Sequence, residues 1–479
     1  MPSGPHPPGA RLHHGDALPQ PRGRNSASIL IGLGLLSSLL YLSFALATMG
    51  KPLVFARFPL GKGIIPGFLL HFFLLFALYL AVVWRVFRQG VDRRSTAIIL
   101  FAFSAAFRVM LLWTEPVLSS DVYRYVWDGR VQAADINPYL YPPNAQELSH
   151  LRDGTIFPQI NRPWARTIYP PGAQWLFRAI SAARPDSVPF LKTTIVAFDL
   201  LTILLLMLLL RTQGLPPVRA ILYAWHPLPI FEFAGSGHLD GLMLPFLLLC
   251  LLFAARRRNG WAGVTLGVAT AIKLYPALLI PALVRRHGAR LLLPAAATVG
   301  LLYLSYVATA GRDVLGFLPQ YLSDPKELFN PGPGALLAFG LGLLFARPTQ
   351  VAYAILAVVL LAVSLRGTRT ADKGLDATVA ELLLLFGTFV TFVQTVHPWY
   401  LLWILPLLAI RPSACWLYLS GAIALSYLRY TNDQFRLPVL AGVLEYLPFY
   451  LLALGATRAR KLRQFGSGLI GQLATGRTS

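Results

Sequence analysis

SILIGLGLLSSLLYLSFALATM, residues 28–49, carries no charge over its whole length. An α-helix rises about 1.5 Å per residue, so about twenty apolar residues cross the roughly 30 Å hydrocarbon core of a bilayer. The run is too long for the core of a secretion signal, and no convincing small-residue cleavage site follows it. It therefore reads as a helix that stays in the membrane. Runs of the same kind recur near 67–87, 96–113, 190–210, 218–235, 239–255, 291–309, 350–366, 377–395, 399–410, 413–428 and 438–456. A shorter run, 335–346, suits an interfacial position. Composition agrees: 56% of the 479 residues are hydrophobic and only 13% are charged, against about a quarter charged in soluble domains. The fold expected is an all-α integral membrane protein. It is a polytopic bundle of about twelve to fourteen transmembrane helices, with short interfacial helices in its outer loops.

The charges orient this bundle. Lys and Arg number 42 against 20 Asp and Glu, a net charge of +22. In a soluble protein that excess would point to nucleic acid. Here it sits in short polar segments between apolar runs, as positive-inside topology requires, so no nucleic-acid partner is expected. RVFRQGVDRRS (85–95), RTQGLPPVR (211–219), Arg256 to Arg258 and VRRHGAR (284–290) are assigned to the cytoplasm. Both termini then lie inside, and the stretch from Thr114 to about Pro189 lies outside. Residues 1–27, rich in Pro, Gly, His and Arg, read as a disordered cytoplasmic arm. Residues 28–457 form the membrane domain, and 458–479 a basic cytoplasmic tail. The Ala-, Leu- and Arg-rich usage suggests a bacterial plasma membrane. Cys250 and Cys415 lie in apolar stretches and read as packing residues.

Trp261 to Val284 does not fit simple counting, because basic residues on both flanks place both ends on the same side. It reads as a broken hairpin, AGVTLGVATAIK and YPALLIPALV, with a Lys-Leu-Tyr-Pro turn at 273–276. Such breaks are tolerated at membrane depth only where protein or a water-filled cavity covers the backbone.

The loop 114–189 is too long for a mere connection. It opens SSDVYRYVWDGRVQAADINPYLYPP, residues 119–143. Ser119 or Ser120 can cap a helix beginning at Asp121. Arg124 and Asp128 are one helical turn apart and can pair. Tyr123, Tyr125 and Trp127 suit a helix at headgroup level. Tyr169-Pro170-Pro171-Gly172 leads into a second amphipathic helix, AQWLFRAISAA. From residue types alone, an aromatic-belt helix with a surface ion pair explains this pattern as well as a catalytic loop does.

An Asp before a Tyr-rich helix, then Asn137-Pro138-Tyr139, then YPPG before a helix, resembles the polyprenol-phosphate-sugar-dependent glycosyltransferases of the C-type superfamily. The bacterial mannosyltransferase-like branch, related to the catalytic subunit of the first GPI mannosyltransferase, is the nearest in pattern. SGHLDGL (236–242), IKLYPALLIP (272–281) and VHPWYLLWILPL (396–407) fit the same likeness. In many relatives this loop follows the first span. Here it follows the third, so an extra N-terminal hairpin precedes it. The resemblance implies inverting transfer of a sugar, mannose being the best fit, from a polyprenyl-phosphate donor to an acceptor hydroxyl on a lipid or glycan at the outer face. It also implies a base in the first outer loop, and Asp121 holds that position. A second acid, Asp240, falls in the second outer loop.

The other candidates are weighed residue by residue. Asp240 and His238 could share a divalent metal ion, or Asp240 could simply cap the next helix. Lys273 lies in an apolar stretch and needs a partner, which a carrier phosphate would supply; the alternative is snorkelling toward headgroups. Arg124, Asp128, Tyr125, Tyr169, His238, Lys273, His397 and Tyr400 are the candidate substrate-binding residues. His397, Trp399 and Tyr400 could equally be belt anchors, and Glu232 and Asp199 structural contacts. Zinc-type Cys/His spacing, GxSxG and Gly-rich phosphate loops are absent. A flippase or secondary transporter, and a glycan polymerase or ligase, stay open as other classes. The first would need charges near mid-membrane and usually a repeat.

Overall fold

A computed structural model describes residues 23–50, 63–88, 93–323, 329–366, 374–432 and 434–456. Most of the expected N-terminal arm and all of the expected tail lie outside the described residues. The first helix already starts at Gly23. The described residues are overwhelmingly helical, as the apolar runs demand. Eight of their helices are long and apolar enough to cross a bilayer. Among them are α1 (Gly23–Thr48), α2 (Ile64–Arg88) and α3 (Arg93–Leu112). After α3 comes the long loop, which holds α4 (Asp121–Ala133) and α5 (Pro171–Ala183), and then the spanning α6 (Val188–Thr212). The chain continues through α7 (Asp240–Ala255), α8 (Asn259–Ile272), α9 (Ile280–His287) and α10 (Leu292–Ala310). The last third holds α11 (Leu318–Ser323), α12 (Pro333–Leu341), α13 (Pro348–Arg366), α14 (Leu375–Phe392), α15 (Leu405–Ile410), α16 (Ala414–Ala422) and α17 (Val439–Ala456).

Three expected spans are broken rather than continuous. Residues 218–235 pass through the core as short helical turns ending in a π-helical segment, Ile230–Gly235. Pro217, Pro227 and Pro229 remove backbone donors here, so no continuous ladder can form. The segment is almost wholly buried, which lets neighbouring protein cover the freed groups. Residues 398–403 form a 3₁₀ turn before α15, and 423–431 a 3₁₀ stretch after α16. The hairpin at 261–284 does break as expected, with α8 ending at Ile272 and a 3₁₀ turn, Tyr275–Leu279, leading into α9.

The long loop is an ordered layer on the bundle. Arg130 at the end of α4 donates to Asp186 at 2.7 Å, to Asp153 at 2.9 Å and to the Leu151 carbonyl at 2.9 Å. This guanidinium holds the Asp153 carboxyl well below the usual carboxylate range. Asp153 in turn accepts from the Ile156 and Phe157 amides, both at 3.0 Å. The sequence leaves the α4 rings open as aromatic-belt residues; the structure turns two of them inward. Tyr125 and Trp127 are buried, because α5 and the returning loop cover the helix.

Candidate active site

Asp121 opens α4, where Ser119 Oγ accepts from its amide at 3.3 Å. Asn161 Nδ2 donates to Asp121 Oδ1 at 2.7 Å, which fixes the carboxylate while leaving Oδ2 uncommitted to that bond. The side chain is 23% exposed and faces a cavity of about 1040 Å³. Arg124, Arg162, Arg166, Lys273 and Arg429 share the lining with that carboxylate; Arg124 pairs with Asp128, Lys273 with Asp240 and Arg166 with Asp313. Asp121 is the one acidic side chain among the cavity's described lining residues. The lining also includes apolar residues, Leu278 and Pro281 of the hairpin and Leu360, Leu361, Leu385 and Phe389 of α13 and α14. One cavity thus offers cations for a polar head and apolar residues for a greasy limb.

Aromatic rings wall the head. Tyr125 meets Tyr169 edge-on at 4.8 Å and stacks on Phe177 at 4.9 Å. Burial pushes both tyrosine hydroxyls well above their usual range, so they stay protonated. Trp399 packs against His397 at 4.3 Å and His238 at 4.0 Å, and Tyr400 stacks on Trp403 at 4.7 Å. Arg162, also on the lining, holds φ 52, a left-handed backbone uncommon outside glycine and a form of strain that collects at functional sites.

Asp128 is not on the cavity, which corrects its expected place among the substrate-binding residues. The pairing with Arg124 is present at 2.8 Å, yet the carboxylate is 1% exposed rather than at the surface. It also accepts from Thr167 Oγ1 at 2.5 Å and Gln174 Nε2 at 2.8 Å. Arg124 donates onward to the Ala165 carbonyl at 2.9 Å. The cluster ties α4, the returning loop and α5 together behind the site. The helical spacing of Arg124 and Asp128 disclosed the pair; only the fold disclosed its burial.

Asp240 and His238 have separate sets of side-chain partners. Asp240, at the start of α7, accepts from Lys273 Nζ at 2.5 Å, Tyr275 OH at 2.9 Å and Trp403 Nε1 at 2.7 Å. Three segments singled out in the sequence, SGHLDGL, IKLYPALLIP and VHPWYLLWILPL, therefore meet on one buried carboxylate. The partner Lys273 required is this side chain, although its ammonium still lines the cavity. His238 Nδ1 lies 2.8 Å from Glu232 Oε2, and its Nε2 lies 4.0 Å from Asp121 Oδ2. No cluster of three or more His, Cys, Asp or Glu suited to a metal ion occurs among the described residues. Asp199 is structural, as allowed for: it pairs with Arg108 at 2.5 Å and accepts from Tyr223 at 2.5 Å.

Asp121, Arg124, Tyr125, Tyr169, Lys273, His397 and Tyr400 all reach the cavity, while Asp128, Asp240 and His238 stand behind it. Sequence reasoning passed over Asn161, Arg162 and Arg429. Asn161 and Arg162 sit in a polar loop without periodicity. The signal for Arg429 was a lone cation in the half-apolar run IALSYLRYT.

The chain matches a family model described as "Alpha-(1->6)-mannopyranosyltransferase, N-terminal domain" over residues 33–287. It is 24% identical over 183 residues to the alpha-(1->6)-mannopyranosyltransferase A of Corynebacterium glutamicum, covering 36% of each chain. It is 32% identical over 168 residues to a polyprenol-phosphate-mannose-dependent alpha-(1-2)-phosphatidylinositol mannoside mannosyltransferase of Mycolicibacterium smegmatis. That match covers 32% of this chain and 38% of the relative, so the matched part spans little more than a third of either relative. No solved structure matches the chain. The family match covers more than half of the chain and takes in α4 through α9, with Asp121, Asp240 and Lys273: the chain belongs to the alpha-(1->6)-mannopyranosyltransferase family.

Proposed function

We propose that the chain moves a mannosyl group from a polyprenyl-phosphate donor to an acceptor hydroxyl, with inversion, at the outer face of a bacterial plasma membrane. One observation carries this reading: a single carboxylate, Asp121, shares one cavity lining with five cationic side chains and a set of apolar residues. A lipid-linked sugar phosphate has matching parts. The cations suit the phosphate, which leaves as an anion. The apolar lining from the hairpin and α13–α14 suits the prenyl chain. The rings of Tyr125, Trp399 and Tyr400 suit the sugar faces. Asp121 Oδ2 takes the acceptor proton as the hydroxyl oxygen attacks the anomeric carbon. Lipid or glycan acceptors would enter the same cavity. A divalent ion has no assigned role in this scheme, since Asp240 and His238 are each engaged elsewhere.

The test is transfer of radiolabelled mannose from polyprenyl-phosphate mannose by purified protein in lipid nanodiscs. Asp121→Asn keeps the side-chain shape and removes the basicity, so turnover should fall about 10²–10⁴-fold with an unchanged unfolding temperature. Transfer within a few-fold of the parent would sink Asp121 as base. Movement of the labelled lipid between leaflets without sugar transfer would favour a flippase instead.

A further inference from the structure

The reaction leaves a proton on Asp121 that must be cleared before the next turnover, and the residues behind Asp121 form a path for it. Glu232 lies in the π-helical segment Ile230–Gly235, a distortion that concentrates at functional sites. Tyr427 OH donates to its Oε1 at 2.8 Å. Its Oε2 faces His238 Nδ1 at 2.8 Å. Gly237 holds φ +75, and a Cβ there would stand 2.9 Å from Val122 Cγ2, so this turn presses directly on the first turn of α4. That contact sets His238 Nε2 opposite Asp121 Oδ2 at 4.0 Å. His238 is 1% exposed, and neither ring nitrogen makes a hydrogen bond, the Nδ1 approach to Glu232 Oε2 being close but without hydrogen-bond alignment. An imidazole serving only as packing would not bury an unpartnered nitrogen beside a carboxylate.

We propose that His238 and Glu232 form a proton sink behind Asp121, an inference that rests on Asp121 being the base. In the first step the acceptor O–H bond breaks, the oxygen bonds the anomeric carbon, and the bond from that carbon to the phosphate oxygen breaks. The proton goes to Asp121 Oδ2 and the electron pair to the phosphate. In the second step the proton moves from Asp121 to His238 Nε2. The resulting imidazolium is balanced by Glu232 and Asp121 is anionic again; once the products have left, the proton returns through Asp121, which lines the cavity, to solvent. Nε2 is the ring nitrogen that faces Asp121 Oδ2, and neither ring nitrogen is engaged in a hydrogen bond, so Nε2 is placed to take the proton. Closing 4.0 Å to hydrogen-bond length is the tightening that substrate binding brings to such sites. The other titratable groups around the pair are His397 across the Trp399 ring, Tyr427 on Glu232, and Tyr430 and Arg429 on the neighbouring 3₁₀ stretch. Lys192 reaches away, to the Leu111 and Thr114 carbonyls.

The experiment measures kcat at saturating donor from about pH 5 to 9, with donor affinity followed separately by tryptophan fluorescence. A sink must start neutral, so activity of the parent carries an acid limb. His238→Gln should lower kcat at least about tenfold and move the acid limb to lower pH, without changing donor affinity. Glu232→Gln removes the anion that favours the imidazolium, and should move the same limb to lower pH. An acid limb that stays in place in folded His238→Gln protein overturns the proposal. So does loss of rate and donor affinity together with no movement of the limb. Should His238→Gln not fold, an unmoved limb in Glu232→Gln decides against it alone. Asp121→Asn separates the two readings. If it keeps turnover, the base assignment fails and the sink with it; if it is dead while His238→Gln keeps the parent's limb, only the sink fails.

Discussion

Asp128 and Lys273 carry similar-looking ion pairs with different consequences. Asp128 is buried and holds Arg124, Thr167 and Gln174 at once. Removing one charge of a buried pair leaves the other uncompensated, at about 3–5 kcal/mol. Asp128→Asn should therefore lower the thermal unfolding temperature markedly, while turnover per folded molecule falls far less than in Asp121→Asn. A variant as stable as the parent would show that the cluster does not hold the loop. Lys273 is 20% exposed and shares Asp240 with Tyr275 and Trp403. If its ammonium also meets the donor phosphate, Lys273→Ala should raise donor KM about ten- to a hundred-fold, the worth of a charged hydrogen bond. Lys273→Arg should recover part of it. Donor kinetics unchanged in Lys273→Ala would leave Lys273 as the counter-ion of Asp240 alone. Spacing made Arg124–Asp128 legible. The Lys273–Asp240 pair was not, because 33 residues separate the partners and no local rule joins them.

At the scale of elements, the hairpin 259–287 was legible from charge: basic residues flank it on both sides, and Pro276 sits at the break. Its packing was not. Gly263 and Gly267 of α8 press on α10, where a Cβ on Gly267 would come within 2.7 Å of the Ala295 carbonyl oxygen. Small residues four apart permit this close crossing in a membrane. Gly267→Leu should cost about 1–3 kcal/mol through overpacking. It should also tilt the hairpin that carries Lys273, so unfolding temperature and donor affinity fall together. An unfolding temperature within error of the parent would mean that the helices part without cost. Residues 218–235 misled the hydropathy reading because their apolar composition is that of a span. The prolines that break the helix, and the neighbours that cover it, act through tertiary packing.

For the whole molecule, the orientation proposed puts the cavity mouth outside. A cysteine at Ser149, in a background with Cys250 and Cys415 replaced by alanine, should react with an impermeant thiol reagent in intact cells. A cysteine at Thr212, beside Arg211 at the far end of α6, should react only after permeabilisation. The reverse pattern would invert the topology and move the cavity to the cytoplasmic side. The ordered loop bears on the same question. Its Asp153 contact with Arg130 contributes stability only while the carboxylate is ionised. That contribution is present above the ordinary aspartate range and lost as pH falls below it, through the depressed value.

The sequence by itself determined that the chain is helical and lies in a membrane, where the long continuous helices fall, and that Asp121 heads a loop helix. Hydropathy, helix caps and basic flanks are local signals, and the bilayer acts on each segment separately. Tertiary structure alone decided that Asp240 gathers Lys273, Tyr275 and Trp403, that α4 is buried, and that His238 stands between Glu232 and Asp121. Those contacts join residues far apart in the chain. They form because a buried charge in a low-dielectric interior needs a partner, and here a different segment carries that partner to it.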